Sequence, residues 1–190
     1  FSDVTYLHTH ISNNIGIMGL HAQMPIQFEK STPEAIETVR KELFGEKNEY
    51  TVAPHELNRL GEAEGILIGG NLSILYSITG TKSGMNTDRK ILFLEDLDEY
   101  LYHIDRMMMN LKRSGKLQNL TGLIIGGFTD MHDNPIPFGK NAYEIILEHV
   151  SEFNYPVCFS FPAGHIADNR ALVIGKKYHL QVSPQKVILE

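Results

Sequence analysis

The chain has 190 residues, of which 42% are hydrophobic and 21% charged, and its net charge at pH 7 is −6. This composition is typical of a globular protein with one hydrophobic core, or with one domain and part of another. Because proteins that bind a phosphate backbone carry a basic surface, the acidic charge argues against nucleic acid as a partner. No apolar stretch approaches the roughly 20 residues that cross a bilayer, so we expect no membrane partner.

The first 45 residues predict two helices separated by a loop. Residues 3–12 carry apolar side chains at helical spacing, and residues 21–25 predict a loop. Either Ser31 or Thr32 is placed to cap the second helix, which is predicted to end near Gly45. Both predicted helices lie before the polar segment that begins at Glu46.

The polar segment from Glu46 to Gly65 predicts a linker or a meander, and buried strands alternate with helices after it. This alternation favours an α/β fold with a parallel or mixed sheet, helices over it and an antiparallel edge. The predicted strands are 65–70, 91–96, 123–128, 156–161 and three short segments after residue 170; the predicted helices are 71–79, 98–113 and 140–150.

The single cysteine, Cys158, lies in an apolar run and cannot form a disulfide within the chain. Its presence as a lone thiol fits a reducing compartment, and we expect a cytoplasmic location. Cys158 is either a small buried hydrophobic residue or a catalytic thiol, and the first is the more common.

Ser2 lies where the chain enters the first predicted helix, and it has two interpretations. The structural one is a helix cap, in which the hydroxyl accepts a backbone N–H. The functional one is a nucleophile at the positive end of a helix dipole, with the N–H of Asp3 as an oxyanion donor. The residues that follow Ser2 do not form a G-x-S-x-G elbow.

Two further places combine reactive groups with the end of an apolar strand. Glu95 and Asp96 end the strand ILFL, and their burial would be costly without partners. Strand alternation sends them to opposite faces, so only one of them can orient a histidine. His165 lies in a glycine-flanked loop after the strand PVCFSF and is the histidine with the most suggestive context.

The histidines and the single cysteine show no metal-ligand spacing, and no H-E-x-x-H motif is present, so we expect no metal ion or other cofactor. The order Ser2, Glu95, His165 is one of the known orders of a catalytic triad. Order alone is a weak signal in a chain of this length. The residues by themselves therefore indicate only a candidate site for acyl transfer.

At these residues the chain resembles the LD-carboxypeptidases, a family of serine peptidases that also includes the microcin C self-immunity peptidases. The resemblance extends over nearly the whole chain and begins with a nucleophile motif at its start. Its motifs are FSDVTYLH, HAQMP, GGNLSIL, ILFLEDLDEYLYHIDRMM, LIIGGF, NPIPFG and FPAGH, in that order.

The resemblance implies that Ser2 is the nucleophile, that His165 is the general base, and that Glu95 orients the histidine, while Asp3 N–H contributes to the oxyanion hole. It also implies an N-terminal α/β domain and a C-terminal domain, with the site between them. Residues 1–60 would be the tail of the first domain, which is mostly missing here, and residues 65–190 the second. A homodimer is expected by the same resemblance.

The substrate that the resemblance implies is the amide between diaminopimelate and a terminal D-Ala in a murein tetrapeptide. Two alternatives stay open: hydrolysis of a microcin C-type peptide–nucleotide conjugate, and a non-catalytic fragment that binds peptide or mediates dimerisation. Lys82, Arg89 and Arg170 are candidates to bind a substrate carboxylate, although each is typical of a surface charge.

The sequence departs from the family pattern in two places. The glycine expected before Phe1 is absent, and so is the upstream segment that supplies the second oxyanion donor, which we expect to be a partner of this chain. The family's Leu-Pro-x-Gly is Leu172-Val173-Ile174-Gly175 here, a change expected to affect only a turn.

We predict that residues 1–190 alone do not hydrolyse a murein tetrapeptide, whereas a longer polypeptide that includes the upstream segment does. The reason is that part of the pocket and one oxyanion donor belong to that segment. A hydrolysis assay of both polypeptides checks this, and full activity of residues 1–190 alone would contradict it.

Overall fold

The computed structural model describes all 190 residues, which form five α-helices and nine β-strands. The helices are α1 (Thr5–Ile15), α2 (Pro33–Leu43), α3 (Leu72–Ser77), α4 (Leu101–Arg113) and α5 (Ala142–His149). The strands are β1 (Gly19–His21), β2 (Tyr50–Val52), β3 (Gly61–Asn71), β4 (Lys90–Leu97), β5 (Gly122–Thr129), β6 (Val157–Cys158), β7 (Leu172–Ile174), β8 (Lys177–Val182) and β9 (Val187–Leu189). None of the helices combines the length and apolarity needed to span a bilayer.

Seven strands form one mixed sheet in the order β2-β9-β8-β3-β4-β5-β6. Strands β3 to β6 are parallel, and β8, β9 and β2 extend the sheet with antiparallel pairing. The predicted α/β class, with a mixed sheet and an antiparallel edge, is confirmed. The parallel half requires crossover connections, and α3, α4 and α5 supply them.

The main sheet separates two hydrophobic clusters. On one face α3, α4 and α5 pack on the parallel strands, and α4 buries Ile104, Met107, Met108 and Leu111 completely. These positions recur at helical spacing and give α4 one apolar face, and the helix predicted over 98–113 is confirmed. The cluster on the other face includes Tyr50, Phe93 and Phe161.

Side-chain caps fix the starts of α2 and α3. Thr32 Oγ1 accepts the N–H of Ala35 at 3.1 Å, so Thr32 rather than Ser31 caps α2. Asn71 Oδ1 accepts the N–H of Ile74 at 3.2 Å and caps α3. Asn71 thereby ties the end of β3 to the helix that follows it.

The loop predicted over residues 21–25 is wrong at its first residue. His21 belongs to β1, which pairs antiparallel with β7 in a separate two-stranded sheet, and His21 lies opposite Leu172. A three-residue strand is too short to show a periodicity. Its partner strand lies about 150 positions away, so the pairing is not visible in the local sequence. Val173 lies in β7 and not in a turn, and its N–H donates to Tyr178 Oη at 3.1 Å. The expected effect of the missing proline on a turn is therefore also wrong.

Two predicted segments, 46–65 and 156–161, differ from the structure. The segment 46–65 contains β2 and the first residues of β3, which are not neighbours in the sheet, so both the linker and the meander interpretation are wrong. The strand predicted at 156–161 is only Val157–Cys158. It ends early because the N–H of Phe159 donates to Asn58 Oδ1 and Ser160 adopts a φ of 58°.

We predict that Gly70→Ala destabilises the protein by about 2–4 kcal/mol, through steric conflict and backbone strain. A Cβ at Gly70, whose φ is +141°, would lie 2.5 Å from Thr5 Oγ1, which accepts the Asn71 N–H and holds the start of α1 on β3. Urea unfolding measures the loss.

The matched control is Gly80→Ala. Gly80 also has a positive φ, +83°, but a Cβ added there would have no atom within 4 Å of it. Backbone strain alone should cost about 1 kcal/mol at this position. Equal losses in the two variants would mean that the close approach of Thr5 contributes nothing.

Candidate active site

The candidate site lies at the carboxyl ends of three parallel strands, the edge where α/β sheets place their functional groups. Asn71 ends β3, Glu95 lies near the end of β4, and Thr129 ends β5. Thr129 Oγ1 donates a hydrogen bond to the carbonyl of His165 at 3.2 Å. The loop that carries His165 is therefore anchored to the edge of the sheet.

Glu95 and His165, predicted from separate parts of the chain, are in direct contact. Glu95 Oε2 lies 2.6 Å from His165 Nδ1, and the two side chains are 0% and 14% exposed. Since an ionised carboxylate only accepts, Nδ1 must carry the proton. In the neutral imidazole Nε2 is then unprotonated and can accept a proton.

Gly164 makes this contact possible. Its φ is +113°, and a Cβ there would lie 2.8 Å from Glu95 Cβ. Only glycine combines this backbone conformation with so close an approach to another chain segment. The N–H of Gly164 donates to Asn169 Oδ1 at 2.8 Å, which fixes the peptide before His165.

Ser2 begins a 3₁₀ turn, Ser2–Val4, that leads directly into α1. Its hydroxyl caps neither element, so the cap interpretation is wrong. Its φ is +58°, an uncommon conformation for a residue other than glycine, of a kind that clusters at functional sites. As the second residue of this turn, Asp3 has no carbonyl of a preceding turn to receive its N–H.

Phe1 links this turn to the histidine. The Phe1 ring is buried and packs edgewise on the His165 ring, with 4.6 Å between centroids and 63° between planes. The structure therefore brings the residue bonded to Ser2 against the imidazole that Glu95 holds.

Asp96 points away from this pair, as strand alternation predicted. Its carboxylate accepts hydrogen bonds from Asn71 Nδ2 at 2.8 Å and from the N–H groups of Ser73 and Leu97 at 2.9 Å. Burial raises the pKa of Asp96 to about 6, although these donors oppose the rise. Asp96 is an anchor for the start of α3 rather than a partner of the histidine.

His21 is a site residue that sequence reasoning missed. It is completely buried, its Nε2 lies 3.9 Å from Glu95 Oε1, and its ring packs edgewise on Phe93. Neither ring nitrogen of His21 has a hydrogen-bond partner, and Glu95 Oε1 also has none. The one signal in the sequence was the presence of His21 in the HAQMP motif, since its position follows from the pairing of β1 with β7.

The two neighbours of Glu95 set its charge state. Burial alone would raise the pKa of Glu95, but the imidazoles of His165 and His21 outweigh this effect and lower it to about 2. Burial lowers the pKa of His21, and the nearby carboxylate opposes this only in part. At pH 7 Glu95 is therefore ionised and His21 neutral.

The remaining reactive groups do not extend the site. The structure contains no group of three or more His, Cys, Asp or Glu side chains that could hold a metal ion. Cys158 is completely buried, and burial raises the pKa of its thiol to about 12. Its interpretation as a small buried hydrophobic residue is confirmed.

Residues 64–180 match the model of the LD-carboxypeptidase C-terminal domain, and the chain belongs to this family. It is 33% identical over its whole length to a probable murein peptide carboxypeptidase of Bacillus subtilis. It is similar, with a TM-score of 0.87 and 25% identity over 99% of the chain, to the crystal structure of a muramoyltetrapeptide carboxypeptidase from Oxalobacter formigenes. The wild-type microcin C7 self immunity protein MccF shares the fold, with a TM-score of 0.81, 20% identity and all of the chain covered.

The chain is shorter than these proteins. It spans 61% of the length of the Bacillus relative and 65% of each of the two structures.

We predict that Glu95→Gln flattens the acid limb of the stability curve. The folded pKa of Glu95 lies below its ordinary value of 4.5, so its ionisation stabilises the fold above pH 4.5. This contribution is lost as the pH falls from 4.5 towards 2, and it amounts to about 3 kcal/mol at full strength. The free energy of unfolding, measured by urea titration across this range, checks the prediction.

The control is Glu56→Gln, because Glu56 is an exposed carboxylate. Its removal should leave the pH dependence unchanged. If Glu95→Gln and the parent protein lose stability in parallel below pH 4.5, Glu95 is not the group responsible.

Proposed function

We propose that this chain is the catalytic portion of a serine carboxypeptidase that removes the terminal D-Ala from a cytoplasmic murein tetrapeptide during cell-wall peptide recycling. The observation that carries the proposal is the 2.6 Å contact between Glu95 and His165, beside the turn that begins at Ser2. A buried carboxylate that orients an imidazole is the arrangement that activates a serine hydroxyl.

In the proposed mechanism, Ser2 Oγ attacks the carbonyl of the amide while His165 Nε2 takes the hydroxyl proton. His165 then delivers that proton to the leaving amine of D-Ala, and an acyl-enzyme remains for water to hydrolyse. Glu95 keeps the proton on Nδ1 and stabilises the imidazolium that forms. The N–H of Asp3 donates to the oxyanion of the tetrahedral intermediate.

The choice of substrate is supported by the relatives that act on murein peptides, the probable Bacillus enzyme above all. We also propose the division into residues 1–60, which carry the nucleophile, and residues 65–190, which carry the acid and the histidine. The site would then lie where the two parts meet. The homodimer is a proposal of the same kind.

Hydrolysis of a microcin C-type conjugate is the second candidate, supported by the likeness of fold to MccF. A nucleotide base would need an aromatic platform, and the chain contains no tryptophan, although Tyr and Phe are plentiful. A non-catalytic binding domain is disfavoured because peptide binding alone gives no reason to hold an imidazole 2.6 Å from a buried carboxylate.

We predict that Ser2→Ala, in the full polypeptide that carries this chain, lowers kcat by at least about a thousandfold and leaves substrate binding intact. The reason is that the hydroxyl takes part in the reaction and contributes little to binding. Mass spectrometry of the products from a murein tetrapeptide and from a microcin C conjugate measures turnover on both substrates.

Ser151→Ala, a change at an exposed serine far along the chain, should be indistinguishable from the parent. Equal turnover in the Ser2 and Ser151 variants would refute the serine mechanism. Cleavage of the conjugate alone would replace the murein substrate with the microcin-type substrate.

A further inference from the structure

A cleft of about 290 Å³ opens beside His165. This volume is close to the lower limit of roughly 300 Å³ for pockets that enclose a ligand, so it fits a small group rather than a large one. Its walls include Gln23, Lys30 and His165, with Leu97 and Ile166 as apolar parts. No Asp or Glu side chain lines it.

The orientation of the Gln23 amide follows from a chain of hydrogen bonds. The N–H of Gly164 can only donate, so the atom of Asn169 that meets it at 2.8 Å is the acceptor Oδ1. The other end of Asn169, Nδ2, therefore donates, and it meets Gln23 Oε1 at 3.2 Å. With its oxygen engaged, Gln23 is left with its NH₂ group, two donors, for the cleft.

Gln23 and Asn169 are held firmly enough to form a preorganised site. Asn169 is completely buried and Gln23 is 9% exposed. A buried amide whose oxygen is fixed keeps its donors in one direction, at little entropic cost when a ligand binds. Gln23 is thus a built donor and not a mobile surface side chain.

Lys30 adds a positive charge to the same cleft. It ends the 3₁₀ helix Pro25–Lys30, in which side chains three positions apart are aligned, so Lys30 and Gln27 share the face that lines the cleft. The side chain of Lys30 forms no ion pair within the chain, whereas Arg170 is paired with Asp168 at 2.9 Å. Lys82, Arg89 and Arg170, the cations considered from the sequence, do not line this cleft.

We propose that Gln23 and Lys30 form a subsite that binds the terminal carboxylate of the substrate. The identity of the substrate rests on the proposed function; the preference for a carboxylate rests on the donors. In a C-terminal residue one Cα separates the carboxylate from the amide nitrogen that leaves. The group that binds the carboxylate must therefore lie in the same cleft as the base that protonates that nitrogen, and His165 lines this cleft.

The kinetic test compares Lys30→Met with Lys186→Met in the full polypeptide. Both changes remove one exposed lysine charge, but Lys186 lies in the turn before β9. Lys30→Met should raise KM for the tetrapeptide about tenfold and change kcat less than threefold, since a hydrogen bond to a charged group is lost from binding. Lys30→Arg, which keeps the charge, should leave KM close to the parent value, and Lys186→Met should change neither KM nor kcat.

Gln23→Glu is the sharper variant, because it keeps an oxygen for Asn169 and replaces the NH₂ donors with a charged acceptor. It should raise KM for the tetrapeptide more than tenfold. For the same peptide ended by a carboxamide, the rise in KM should be smaller. Gln23→Met, which removes the donors without adding charge, should fall between. Circular dichroism melting verifies that each variant is folded.

A binding test separates this proposal from the proposed function. The Ser2→Ala polypeptide is titrated with N-acetyl-D-alanine and with N-acetyl-D-alaninamide, and the carboxylate probe should bind about tenfold more tightly. Lys30→Met should remove that preference. Equal binding of the two probes would overturn the subsite even if the tetrapeptide is cleaved. A carboxylate preference without cleavage of the tetrapeptide would keep the subsite and reject the murein peptidase.

Discussion

The buried carboxylate of Glu95 is the constraint around which the site is built. An ion removed from water costs several kcal/mol unless other groups replace its solvation. Here one oxygen accepts from His165 at 2.6 Å, and the other faces the neutral ring of His21 at 3.9 Å. Three distant parts of the chain converge on this one side chain: the end of β4, the loop after β6, and β1. The pairing of β1 with β7 is what holds His21 in its position.

Glu95 and Asp96 show how one strand end supplies two different functions. The carboxylate of Asp96 receives three hydrogen bonds and yet has a raised pKa, because burial dominates. Glu95 is buried as deeply, but its partners are imidazoles, which lower its pKa. The irregularity in the pairing of β4 with β5 lies between Leu94 and Asp96, at the point where the strand changes from core packing to site chemistry. The neighbours of each carboxylate, not its residue type, determine its protonation.

Local patterns in the sequence were sufficient to predict the longer strands of the sheet and the helix α4. The strands β3, β4 and β5 are recognisable as short apolar runs with glycine or polar residues at their ends, and α4 is recognisable from its helical spacing. The contact of Glu95 with His165 followed from the family motifs and not from any period. The features that could not be predicted depend on contacts between distant residues. They are the approach of His21 to Glu95, the hydrogen bond of Gln23 with Asn169, and the presence of Lys30 in the cleft beside His165. Lys82, Arg89 and Arg170 do not line that cleft. Each of these features requires the register between residues near 20–30 and residues near 165–175.

That register is maintained by a series of contacts between the two segments. The N–H of Thr32 donates to the carbonyl of Ala167 at 3.1 Å, Thr38 Oγ1 accepts the N–H of Ala171 at 2.9 Å, and β1 pairs with β7. The loop that carries His165 is therefore clamped between the end of the parallel sheet and the segment that supplies Gln23 and Lys30. A displacement of that segment would move the proposed carboxylate subsite, the edge of the Glu95 pocket and the base together. In the proposed enzyme, the carboxylate subsite and the orientation of the histidine thus depend on the same short stretch of chain.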